Sequence, residues 1–121
     1  MLVAEINEKI TVRYRGTFND LDGAPIQLAD MTTLNLTMFL EDAGANSVIN
    51  AWSSKDVLNV NGGTFHATSG LFTLELAPAD TALVSQGRSR ERHKMEFEFT
   101  WASKTGRHEV MLVVKNLGSV V

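Results

Sequence analysis

Two stretches near the end of the chain decide the fold: Met95-Glu96-Phe97-Glu98-Phe99-Thr100-Trp101, and His108-Glu109-Val110-Met111-Leu112-Val113-Val114. The first alternates apolar and polar residues with period two, which marks a strand with one buried face. A loop of Ser103-Lys104-Thr105-Gly106 would set Ala102 opposite Arg107. That register places Phe99 across from Val110, Phe97 from Leu112 and Met95 from Val114, so one face is wholly apolar. A slip of one residue would turn all of them to the wrong side. The pair predicts a hairpin over about 92–101 and 107–115.

Working outward, Ile10, Val12 and Tyr14 alternate with Thr11, Arg13 and Arg15, which predicts a strand over 9–18. Asn19-Asp20-Leu21-Asp22-Gly23-Ala24-Pro25 is turn chemistry. Leu34, Leu36, Met38 and Leu40 alternate with Thr33, Asn35, Thr37 and Phe39 in a strand over 32–41. Residues 42–46 read as a loop and 48–52 as a short strand. Residues 57–60 and 64–67 flank Asn61-Gly62-Gly63 as a small hairpin, since Asn-Gly supplies positive φ at little cost. Phe72, Leu74 and Leu76 mark another strand. Residues 77–84 read as one helical turn, with Pro78 in its first turn and Gly87 as its stop. About seven short strands with no long helix predict an all-β antiparallel sandwich in a single domain, 1–121. A barrel is the alternative.

The chain has 121 residues, 44% apolar and 21% charged, with a formal net charge of −3. That balance argues against a nucleic-acid partner, which would show a basic surplus. The one basic run, Arg88-Ser89-Arg90-Glu91-Arg92-His93-Lys94, is interrupted by Glu91 and reads as a solvated loop and strand start. There is no cysteine, hence no disulfide and no thiolate ligand or nucleophile. No apolar run reaches the ~18 residues a membrane helix needs, so no membrane partner is expected. Glu5 and Glu8 sit where a secretory leader would be basic and then apolar. Folding in a cytoplasm is the expectation.

The search for chemistry returns little. His93 and His108 fall on the core side of the hairpin at opposite ends, and the spacing of the three histidines matches no zinc pattern. Asp20-x-Asp22-Gly23 lacks the later acidic ligands of a calcium loop, with Gln27 and Leu28 in their places. Gly62-Gly63 lacks the Lys and Ser/Thr of a phosphate loop. No serine sits in a nucleophile elbow. Glu96 and Glu98 lie on one face about 7 Å apart by strand geometry, a solvated pair rather than an acid–base pair. No catalytic residue, cofactor or small-molecule substrate is therefore expected. The last strand is apolar on both faces, and Phe39 breaks the polar face of its own strand. Either a loop or a partner subunit covers these residues. Phe39, Trp52, Met111 and Val113 are the candidate interface.

Several segments together resemble a known type. Phe18-Asn19-Asp20-Leu21-Asp22-Gly23-Ala24-Pro25-Ile26-Gln27-Leu28 resembles the first turn, D-x-x-G-x-P-x-x-L, of small immunoglobulin-like domains in tailed-bacteriophage virion proteins. The nearest group is the N-terminal domain of baseplate upper proteins. Thr33-Leu34-Asn35-Leu36-Thr37-Met38 occupies the place of the next strand. Gly70-Leu71-Phe72-Thr73-Leu74-Glu75-Leu76-Ala77-Pro78-Ala79-Asp80-Thr81-Ala82-Leu83 resembles that group's strand-to-turn segment, and the closing hairpin with Gly106 also fits. The chain departs by the inserted Asn61-Gly62-Gly63 hairpin. The resemblance implies an immunoglobulin-like sandwich with no catalytic residues. It further implies a structural virion component in the tail, baseplate, neck or capsid surface, assembled in the host bacterial cytoplasm. Its partners would be other virion proteins and symmetric copies of itself. A carbohydrate-binding or adhesion module using Trp52 and nearby loops is the alternative; a hydrolase is a distant third.

Overall fold

The computed structural model describes residues 2–43, 47–84 and 89–116. Residues 44–46 of the expected loop, Gly87, Arg88 and the stretch 117–121 lie outside the described residues. Among the described residues eight strands form two sheets. β1 (Leu2–Asn7), β3 (Met31–Leu40), β4 (Lys55–Asp56), β7 (Arg90–Trp101) and β8 (Lys104–Lys115) form one, in the order β1-β8-β7-β3-β4. β2 (Val12–Gly16), β5 (Gly63–Phe65) and β6 (Phe72–Leu76) form the other, in the order β2-β6-β5. Short 3₁₀ turns cover Glu41–Ala43 and Pro78–Thr81. The order of the second to eighth strands over the two sheets is that of an immunoglobulin-like sandwich.

Why these residues make these strands is plainest in β7. Glu91, His93, Met95, Phe97, Phe99 and Trp101 point inward and are buried, while the residues between them face outward. Leu34, Leu36 and Met38 of β3 meet the same core, as do Phe72, Leu74 and Leu76 of β6. Phe18 sits at the centre, with ring centroids 5.4 Å from Phe72, 5.3 Å from Phe97 and 5.0 Å from Phe99. Fully burying one such side chain contributes about 1.5–3 kcal/mol, so this cluster alone locks one sheet over the other.

The β7–β8 hairpin forms, but its register differs from the expectation. Trp101 pairs with Lys104, Phe99 with Gly106, Phe97 with His108 and Met95 with Val110. The turn is therefore two residues, Ala102 and Ser103, with φ of 45° and 62°. Paired positive φ values make the turn whose twist matches that of the flanking strands. Gly106 lies inside the strand and not in the loop. A Cβ there would stand 2.5 Å from two ring atoms of Phe99 and 3.0 Å from Trp101. The absent side chain lets both rings lie across β8. The slip from the expected pairing is four positions, an even number, so Phe97 and Leu112 still share the core face.

Three further expectations are corrected. β1 is a strand, and it pairs with β8 in parallel, so the sandwich is not wholly antiparallel. The 48–52 stretch is a tight loop holding one bridge, Phe39 to Val48, because Asn50 and Ala51 take positive φ. Residues 57–60 and 64–67 do not pair with each other. β4 joins β3 while β5 joins β6, so Asn61 and Gly62, both at positive φ, carry the chain from one sheet to the other. The barrel alternative fails with the separation into two sheets. The strand expected over 9–18 is confined to Val12–Gly16.

Candidate functional site

Three buried or half-buried polar groupings and one outer face hold the chemistry of the described residues. The first centres on Asp80 in the 3₁₀ turn after β6. Its Oδ1 accepts hydrogen bonds from Trp52 Nε1 at 2.7 Å and Asn50 Nδ2 at 2.6 Å; its Oδ2 accepts from the Ala77 amide at 2.8 Å. The next residue, Thr81, accepts from the Ile10 amide at 3.0 Å and donates to the Ile10 carbonyl at 2.9 Å. Asp80-Thr81 thus ties the β1–β2, β3–β4 and β6–β7 connections together. This is an anchor for loops and not a reactive centre, since every carboxylate oxygen faces a donor.

The second grouping is Glu91 and His93, neighbours on the inner face of β7 whose side chains are fully buried. His93 Nε2 lies 2.9 Å from Glu91 Oε1, and the same oxygen accepts from the Val84 amide at 2.7 Å. A carboxylate orienting an imidazole is two-thirds of a nucleophilic triad. Here, however, His93 Nδ1 has no hydrogen-bond partner among the described residues, and the side chains of the pair are closed to solvent. The third grouping spans the sheets: Tyr14 Oη of β2 lies 2.9 Å from His108 Nε2 of β8. Burial raises the Tyr14 phenol above its usual range. Burial also lowers the His108 imidazole below its own.

On the outer face of the larger sheet, β1, β8, β7 and β3 align Val3, Met111, Lys94 and Phe39 on one rung. Phe39 and Met111 are buried, with Lys94 Nζ 6.0 Å from the centre of the Phe39 ring. Trp52 is also buried, with Lys55 Nζ 4.4 Å over its ring. Of the four expected interface residues, three are covered by their own chain, which removes the exposed apolar face they were expected to form. Val113 remains half-exposed beside exposed Val3. These two valines lie in a cleft of about 660 Å³. Its rim carries Arg90 with Glu5 at 3.0 Å and Arg92 with Glu41 at 3.5 Å.

The remaining candidates have structural partners. Glu96 and Glu98 both hold Arg107, at 3.3 and 3.0 Å. Asp20 Oδ1 accepts from the Asp22 and Ala24 amides at 2.9 and 3.0 Å, closing a turn in which Gly23 has φ of 83°. Sequence reasoning missed the Asp80 anchor and the Glu91–His93 pair. The expectation of a strand over 48–52 hides the loop that meets Asp80. As an interruption of a basic run Glu91 looks solvated, although it shares the inward parity of Met95 and Phe97.

No family model matches the chain, and no curated protein matches it. Among solved structures it is similar to an endo-β-1,4-mannanase from Thermotoga petrophila. The TM-score is 0.51 at 17% identity, over 95% of this chain and 18% of that one. A chimeric titin Z1Z2 carrying a KLER peptide from decorin gives 0.42 at 11% identity, over 95% and 87%. The titin M3 domain gives 0.41 at 9% identity, over 94% and 88%. This chain spans 18% of the mannanase's length, and at that identity the likeness is one of fold alone. The titin scores are too low to carry an argument. The class rests on the strand order itself, an all-β, two-sheet sandwich of immunoglobulin-like topology.

Proposed function

We propose that this protein is a non-enzymatic structural component of a tailed-bacteriophage virion. It would serve as a tail, baseplate or neck accessory subunit or a capsid decoration, docking to neighbouring subunits in many copies. The observation that supports the reading most is how the two segments of the resemblance meet. A Cβ on Gly70, at φ of 74°, would lie 3.0 Å from the Pro25 Cβ and 3.1 Å from the Ile26 carbonyl oxygen. The residues of the first turn and of the strand-to-turn segment thus form one close contact at one end of the sandwich. The other end is held by Asp80 and Thr81 of the same segment. A sandwich pinned at both ends offers fixed surfaces, and fixed surfaces repeated by symmetry sum modest contacts by multivalency. The carbohydrate-binding alternative loses its platform, since Trp52 is buried.

The test is quantitative mass spectrometry on gradient-purified particles of a phage encoding this chain. The expected result is the chain in the particle at a copy number fixed by particle symmetry. Its absence from particles that are otherwise complete overturns the proposal. Binding to a glycan array by a chain absent from particles would favour the alternative.

A further inference from the structure

A sheet edge presents unpaired N–H and C=O groups, and proteins blunt such edges with short strands, charge, proline or bulges. Three of the four edges described here are blunted. β4 has two residues, both charged, and β5 has three. β2 presents Arg13 and Arg15, both exposed. β1 differs. It runs six residues, Leu-Val-Ala-Glu-Ile-Asn, with no proline and no lysine. Its outer face carries Val3 at 58% exposure. Its one charge, Glu5, is held at 3.0 Å by Arg90 of β7.

We infer that β1 is a self-pairing edge, and that its occupant is β1 of a second copy of this chain, joined antiparallel about a two-fold axis. Three observations favour that occupant. A two-fold joins a surface to itself, so the strand must carry no uncompensated charge, and Glu5 is compensated within its own chain. Antiparallel strands keep their faces only in registers of even offset. Pairing Ala4 with its symmetry mate is one, and it sets Val3 against Glu5 of the second copy, with Leu2 opposite Ile6. Beside the edge, the cleft holds Val113 between Arg90–Glu5 and Arg92–Glu41. In this register the second copy's Val3 joins the rung of Glu5 and Val113. Two acid–base pairs, Arg90–Glu5 and Arg92–Glu41, flank the valines of the cleft, which Asp42 also lines. The result is one continuous sheet through both copies, a known mode of strand addition.

The inference deepens the docking reading by naming the partner, and rests on it only for its purpose, because pairing is read on the purified chain in solution. Sedimentation velocity over a concentration series should show a monomer–dimer equilibrium. Val3→Glu places a carboxylate on an exposed residue, directly opposite Glu5 of the second copy, and like charges so placed destabilise a strand pair. It should leave the urea midpoint of the monomer unchanged and weaken the dimer about tenfold or more, a difference of about 1.4 kcal/mol. Arg13→Ala, on the edge of the other sheet, should leave the dimer intact. Amide exchange at residues 3–6 should slow as concentration rises. A chain that stays monomeric, a dimer indifferent to Val3→Glu, a dimer lost with Arg13→Ala, or a larger oligomer would each overturn the inference. Absence of the chain from virions would leave the dimer standing and overturn only the proposed function.

Discussion

Removing the Asp80 carboxylate should be the most damaging single change outside the aromatic core. Asp80→Ala takes away the acceptor for three donors. They are not equal. Asn50 is exposed and can turn its amide to water, so its loss costs little. Trp52 is 3% exposed, and its Nε1–H would be left without an acceptor in a dry place, at about 1–3 kcal/mol. The Ala77 amide loses a charge-assisted bond that closes the 3₁₀ turn, worth about 1.5–3 kcal/mol. The sum, about 2.5–6 kcal/mol, is a large share of the roughly 5–15 kcal/mol that holds a typical domain together. Asp80→Asn keeps one acceptor but sets an amide donor against another donor, so it should fall between wild type and Asp80→Ala. Trp52→Phe removes the buried donor itself. Combined with Asp80→Ala it should cost less than the two single changes added, because the stranded N–H is gone. Urea unfolding followed by circular dichroism measures all four variants. An Asp80→Ala protein within about 0.5 kcal/mol of wild type would refute the argument, as would strict additivity in the double variant.

Two other expectations concern the Tyr14–His108 contact and the Gly106 strand. Because His108 titrates below its ordinary value in the folded state, the unfolded chain takes up the proton first. Stability should therefore be full above about pH 6.5, fall as pH drops through that value, and level off below the folded pKa. Urea midpoints across pH measure this, and His108→Gln should lessen the fall attributable to this residue; a midpoint that rises on acidification of wild type but not of that variant contradicts the sign. Gly106→Ala puts a Cβ 2.5 Å from the Phe99 ring and should cost about 1–3 kcal/mol by overpacking. Phe99→Leu in the same chain should recover part of that loss, measured by thermal unfolding.

The inner face of the hairpin was legible because parity is robust. An error of four positions in the β7–β8 pairing left Phe97, Phe99, Val110, Leu112 and Val114 on the core side. The register itself was not, since it depends on turn φ values that Ala102 and Ser103 do not advertise. Neither residue favours positive φ as Gly or Asn does, so Gly106 drew the turn toward itself. The strand over 48–52 failed for a similar reason. Ile49 and Trp52 are buried, but Asn50 and Ala51 adopt left-handed backbone that ends a strand. β1 went unread although Leu2, Ala4 and Ile6 alternate with Val3, Glu5 and Asn7. Its pairing is parallel, with β8, more than a hundred residues away, and no turn signal points across that distance.

The anchor residues were hidden for a different reason, which bears on function. Asp80, Glu91 and His93 are the residue types from which catalytic sites are built, so a sequence scan weighs them as reactive or as solvated. Their places in the fold make them neither. Asp80 holds one loop and a turn by its two oxygens, and Glu91 braces β7 against the Val84 amide. Polar groups committed in this way make the ends of a sandwich rigid. In an enzyme such groups would need open valences facing a substrate; here the oxygens of Asp80 face donors of the chain, and Glu91 and His93 are sealed from solvent. The least committed groups lie on the outer face of β1 and β8, where Val3 and Val113 stand between paired charges. The proposed self-pairing uses this edge, where the chain leaves the groups of its described surface least committed.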